Sequence, residues 1–168
     1  MIIKLNTLIL VLPFVFALHN TEEIFGMGKQ TPLSQIFACK PVTIRQFGIA
    51  VTLFTLLGFF IVFGKGLYLT KHQYYLAIAG FAGMLLINVF FPHLLASILL
   101  KKYTPGVITG LFLNLPLTTM VLMELENFNI LTWKQIIYAG ILGGMVGALL
   151  VYFFLKAGYL VEKIFMNK

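Results

Sequence analysis

Five apolar runs, each close to the roughly 20 residues a helix needs to cross a bilayer core, constrain this chain more than any other feature. They cover approximately residues 5–25, 47–64, 75–100, 105–123 and 136–156. The runs are too long for strands and lack the alternation of apolar and polar residues that a membrane β-barrel needs. Composition agrees: 60% of the 168 residues are hydrophobic and 10% are charged, against about 25% charged in soluble domains. So few polar side chains cannot cover a globule in water, whereas lipid solvates an apolar exterior. The sequence therefore predicts an all-α fold, a polytopic transmembrane bundle of about five helices, with residues 1–168 forming a single integral membrane domain.

The net charge of +7 sits between the apolar runs. There the positive-inside rule and anionic headgroups account for it, so membrane lipids are the expected partners and nucleic acid is not. Lys29, Lys40, Arg45, Lys101, Lys102, Lys156, Lys163 and Lys168 fall on one side of the map, and Lys4, Lys65, Lys71 and Lys134 on the other. That asymmetry places the N-terminus outside and the C-terminus in the cytoplasm. An alternative reading makes residues 1–17 a signal peptide, with Lys4 ahead of the apolar stretch and a small-residue site at Val15-Phe16-Ala17. Cys39 is the only cysteine, so there is no intrachain disulfide and no CxxC motif.

Smaller signals fill in the map. Gly140, Gly143, Gly144 and Gly147 form overlapping GxxxG spacings, a close-packing face for a neighbouring helix or, through Gly140, Gly144 and Gly147, for a homodimer. Thr104-Pro105 is expected to cap and start the fourth helix. The stretch from Gly26 to Gln46 mixes Leu33, Ile36 and Phe37 with basic residues and is expected to lie along the interface. Tyr103, beside Lys101 and Lys102, reads as an interfacial anchor, while His72, Glu124 and Glu126 are expected to face water.

The polar residues inside the runs carry the functional argument. His19, Glu22 and Glu23 stand at i, i+3 and i+4, on one arc of a helix. A charge at membrane depth costs about 2.5–3.5 kcal/mol on insertion scales, so two adjacent glutamates need a partner, a proton or a metal. At about 1.5 Å per residue, His19 and His93 both come to lie roughly 10–12 Å from the cytoplasmic ends of their helices. Asn88 and Asn114 sit deeper and are candidate lining residues. Pro92 removes the hydrogen bond to the carbonyl of Asn88 and predicts a kink beside His93; Pro116 does the same for Phe112, near Asn114. The expected site is a divalent metal, zinc or iron, on His19, Glu23 and His93. Glu22 then serves as base or outer partner in a catalytic group of Glu22, Glu23 and His19.

The His19-Asn20-Thr21-Glu22-Glu23 stretch, Asn88 with His93, and Tyr103-Thr104-Pro105-Gly106 together resemble the HXXEE-motif family, small bacterial membrane proteins of unknown function. The resemblance covers nearly the whole chain and implies a bacterial inner (plasma) membrane location; it names no chemistry. The residues themselves favour a metal-dependent or acid–base enzyme acting on a lipid or lipidated substrate, by hydrolysis or acyl transfer. The alternatives are a small transporter or proton relay, and a structural or accessory membrane protein whose cluster only holds helices together. Reporter fusions after Gln30 and after Lys168 test the topology: both are expected to report cytoplasm, and a periplasmic signal at either position would reverse it.

Overall fold

Each apolar run folds as one helix: α1 is Ile2–Gly26, α2 Ile44–Phe63, α3 Lys71–Leu100, α4 Val107–Asn127 and α5 Trp133–Met166. The computed structural model describes residues 2–27, 42–66 and 70–166. All five helices are long and apolar enough to cross a membrane, and there is no strand among the described residues. The all-α bundle is the one the sequence predicts. The expected interfacial segment with Leu33, Ile36 and Phe37, together with Lys29, Cys39, Lys40 and Lys168, lies outside the described residues.

Three helices start three or four residues before their apolar runs, and the same device explains each. Thr43 with Gln46 and Thr70 with Gln73 form capping boxes in which the threonine oxygen accepts from the glutamine N–H and the glutamine side chain accepts from the threonine N–H. Thr132 and Gln135 repeat the pattern: Gln135 Oε1 accepts from Thr132 N–H at 2.9 Å and Thr132 Oγ1 from Gln135 N–H at 3.4 Å. A Thr-x-x-Gln spacing ahead of an apolar run is a start signal that hydropathy alone does not register. At its other end α5 continues past Lys156 to Met166. Lysine is a good helix former, so a charge that leaves the hydrocarbon does not end the helix. The extension is tied to the start of α2, where the Thr43 hydroxyl donates to Glu162 Oε2 at 2.7 Å.

The core lies where α1, α3 and α4 meet. Leu5, Ile9, Leu12 and Phe16 present one face of α1 to it, beside Ile78, Ala82 and Leu85 of α3 and Val121 and Leu125 of α4. Cleavage after Ala17 would remove Leu5, Ile9, Leu12 and Phe16 from that core. Lipid tails are as apolar as these side chains, so association rests on fit rather than on escape from water.

Fit is closest between α3 and α5. A methyl group on Gly83 would fall on the Gly140 backbone, and one on Gly143 would fall on the carbonyl of Gly80. At Gly144 it would come 2.7 Å from Ile87 Cδ1, and at Gly147 2.6 Å from Met84 Sδ. The glycine face of α5 is therefore filled by α3 of the same chain. Of the two occupants the sequence allows for this face, a neighbouring helix of the same chain is the one seen here, packed against Gly140, Gly144 and Gly147.

Of the three prolines inside the helices, Pro13 lies within a continuous α1, whereas Pro92 and Pro116 accompany irregular turns. At Phe91, the residue before Pro92, the backbone is extended (φ −134°, ψ 117°), and α3 resumes as a straight helix at Leu95. In α4 the turns from Gly110 to Asn114 are widened to i→i+5, and the helix runs straight only from Leu115, with Pro116 in that first turn. Gly143→Leu is expected to cost about 1–3 kcal/mol or more through overlap with Gly80. Thermal unfolding in detergent checks this, with exposed Leu149→Ala as a near-neutral control.

Candidate metal centre

The break at Phe91 turns the His93 side chain into the bundle, where only 2% of its surface is exposed. The connection from Lys101 to Gly106 then folds back over it. Thr104, itself buried, donates from Oγ1 to the His93 carbonyl at 2.9 Å and lies 2.6 Å from Ser97 Oγ. That use differs from the expected one, because the Thr104 side chain does not cap α4. The Pro105 carbonyl lies 2.8 Å from His93 Nδ1. A carbonyl only accepts, so Nδ1 carries the proton and Nε2 presents its lone pair when the ring is neutral.

His93 Nε2 points toward Glu23 Oε1, 2.9 Å away. That distance suits an ion pair, yet the geometry is not that of a hydrogen bond, and Nε2 is a buried nitrogen without a hydrogen-bond partner. His19, fully buried, stands beside them with its ring centroid 4.8 Å from that of His93 and the rings nearly perpendicular. Its Nε2 lies 2.9 Å from Asn88 Oδ1, an acceptor, and its Nδ1 2.9 Å from the Thr109 hydroxyl. Nε2 is then the protonated nitrogen, and Nδ1 accepts from the Thr109 hydroxyl. Ligand atoms of His19, Glu23 and His93 lie within 4.8 Å of one another, the geometry of a three-residue cation site. Tetrahedral ligation at about 2.0–2.1 Å would draw them closer together.

His93 thus holds Nδ1 on the Pro105 carbonyl and turns Nε2 toward Glu23, while Asn88 and Thr109 hold the two nitrogens of His19. Metal-binding histidines are oriented in this way by their outer partners. Gly106 makes the enclosure feasible. Its φ of 88° suits glycine, and a Cβ there would lie 2.6 Å from His93 Cε1 and 3.0 Å from Glu23 Cγ.

Glu22 does something else. Its Oε1 accepts from the Tyr103 hydroxyl at 2.7 Å and from the N–H groups of Gly106 at 3.0 Å and Ile108 at 3.3 Å. Its Oε2 accepts from the Thr109 N–H at 2.7 Å. These are the free N–H groups at the start of α4, so a carboxylate from α1 caps a helix 84–87 residues away in sequence. Glu22 therefore anchors the start of α4 beside the cluster, the place of an outer partner. Partial burial, with the hydrogen bond and charge of Glu22, pushes the Tyr103 hydroxyl up to about 12, so it remains a donor at physiological pH.

The other motif residues also have assigned places. Asn20 Nδ2 donates to Thr55 Oγ1 of α2 at 2.7 Å, and the Thr21 hydroxyl donates to the Ala17 carbonyl at 2.7 Å. Asn88 joins the site directly through His19. Asn114 is buried, and neither its side-chain oxygen nor its nitrogen has a partner; it lies one turn beyond Gly110, where a methyl would come 3.8 Å from His19 Cε1. Sequence reasoning missed Thr109, which offers no signal of its own. It also missed the roles of Tyr103, Pro105 and Gly106, although the Tyr-Thr-Pro-Gly stretch had marked the place.

A model of proteins of unknown function with the HXXEE motif matches residues 10–121. The chain belongs to the HXXEE family. It is 36% identical over 146 residues to the uncharacterized protein YrkK of Bacillus subtilis (strain 168), covering 86% of this chain and 91% of that one. No solved structure matches. In this HXXEE chain the motif's histidine and second glutamate meet His93, and its first glutamate holds α4.

Two substitutions separate these roles. Glu22→Ala is expected to cost about 1–3 kcal/mol by leaving partly buried N–H groups without an acceptor, with Glu22→Gln milder; thermal unfolding measures both. Gly106→Ala, strained in φ and overlapping His93, is expected to lower the unfolding midpoint more than Gly66→Ala, whose φ of 87° is similar but whose surroundings are open.

Proposed function

We propose that this protein is a metal-dependent membrane enzyme that acts on a lipid or lipidated substrate, by hydrolysis or acyl transfer, at a centre held by His19, Glu23 and His93. One observation carries the reading: the lone pair of His93 Nε2 and the oxygen of Glu23 confront each other at 2.9 Å without a hydrogen bond, in a buried site. Two acceptors at that distance repel unless a cation or a shared proton lies between them. Two neutral imidazoles and one carboxylate suit zinc with an open fourth position, and the same set suits iron. The bound ion would polarise a carbonyl or phosphoryl oxygen or activate a water. Asn88, Thr109 and the Pro105 carbonyl orient the ligands, and Glu22 fixes the start of α4 that carries Thr109.

Access favours a substrate from the bilayer. Phe90 and Phe91, next to the site on α3, are 48% and 44% exposed on the lipid-facing surface. A second reading, a proton relay through Glu23 and His93, draws on the same 2.9 Å approach with a shared proton in place of the ion.

Elemental analysis of purified protein distinguishes the two. The expected result is close to one transition metal per chain, lost in Glu23→Gln and in His93→Ala and retained in Glu22→Gln. A metal-free wild type would reject the centre; if its Glu23→Gln variant were also more stable, the shared-proton reading would replace it.

A further inference from the structure

The end of the bundle away from the motif holds a second feature. A groove of about 630 Å³ lies between α2, α3 and α5, bounded by Phe54 and Leu57 of α2, Ala77 and Phe81 of α3, and Leu142 and Val146 of α5. Tyr138, Leu142 and Val146 along its edge are exposed, so it opens sideways, toward the bilayer. Along α5 it runs from Gln135 to Leu150, about 22 Å at the helical rise, against about 15 Å for half of a bilayer core. An entire acyl chain fits that length. Phe16, packed edge-on to Phe54 and Phe81 at 6.2 and 5.6 Å, separates the groove from the motif face of α1.

Its polar end is basic. Gln135 is the polar lining residue there, and its Nε2 lies 3.5 Å from His72 Nε2. That contact brings together the first turns of α3 and α5, and with them the adjacent Lys71 and Lys134. Lys65, at the end of α2, reaches the same region, 5.4 Å from the Tyr74 ring centre. Two helix N-termini add their partial positive charge. The acids at this end of the bundle, Glu124 and Glu126, belong to α4, which does not line the groove.

We infer that the groove is a binding site for one anionic phospholipid, with an acyl chain between α2, α3 and α5 and the phosphate at Lys71, Lys134 and the first turns of α3 and α5. Hydrocarbon already solvates a lipid chain, so the chain contributes fit and the headgroup contributes selectivity. Juxtamembrane lysines near an anionic lipid are each worth roughly fivefold, so the pair predicts roughly a twentyfold preference for an anionic over a zwitterionic headgroup.

Native mass spectrometry of detergent-purified protein, titrated with dioleoyl phosphatidylglycerol or dioleoyl phosphatidylcholine, tests this without reference to the metal centre. Wild type is expected to hold one phosphatidylglycerol per chain and to prefer it by roughly twentyfold. Lys71→Gln with Lys134→Gln should bring the two lipids near parity. Ala77→Phe, which fills the groove, should abolish retention of both while the helical circular dichroism is unchanged; Leu142→Trp, at the exposed edge, serves instead if Ala77→Phe does not fold. Equal binding of the two lipids by wild type, a preference that survives the double lysine change, or full retention by the groove-filling variant would each overturn the proposal.

Discussion

The start of α4 depends on one carboxylate. Free N–H groups at a helix N-terminus have no intrahelical acceptor, and near hydrocarbon water is a poor substitute, with each unpaired group costing several kcal/mol. No side chain in the Thr104–Gly106 turn caps the helix; Thr104 is turned back onto the His93 carbonyl. Glu22 supplies the acceptor from α1, taking the N–H groups of Gly106, Ile108 and Thr109 and the Tyr103 hydroxyl. The same contact fixes how α1 stands against α4, and so brings His19 to Thr109 and Glu23 to His93.

Two neighbouring glutamates thus have opposite situations. The oxygens of Glu22 are occupied by donors, which suits a permanent anion. The Oε1 of Glu23 faces a lone pair on a histidine whose other nitrogen is held by the Pro105 carbonyl. One residue along a helix rotates a side chain by about 100°, enough to direct Glu22 to the end of α4 and Glu23 to the broken segment of α3. The pair is therefore one anchor and one carboxylate set against a buried histidine, both beside the turn that Gly106 allows.

Much of this was legible in the sequence because membranes restrict the choices. Runs of about 20 apolar residues leave a helical bundle as the solution, and the rise per residue puts His19 and His93 at one depth. Pro92 marked the break. What escaped was set by contacts distant in sequence. Nothing local shows that Glu22 caps a helix 84–87 residues on, or that Thr109 meets His19. The glycines of α5 announced a close contact without naming the partner, which proved to be Gly80 and Gly83 of α3. The starts of α2, α3 and α5 were legible in principle in Thr43–Gln46, Thr70–Gln73 and Thr132–Gln135, but hydropathy weighs those residues as mere polar flanks.

The proposed centre makes His19, Glu23 and His93 one coordination site. X-ray absorption at the metal edge of the purified wild-type protein addresses it most directly. Such a centre predicts a first shell of nitrogen and oxygen at about 2.0–2.1 Å with the outer-shell scattering of two imidazoles, reduced to one in His93→Ala where any metal remains. A shell without imidazole scattering, or one unchanged by His93→Ala, would contradict it.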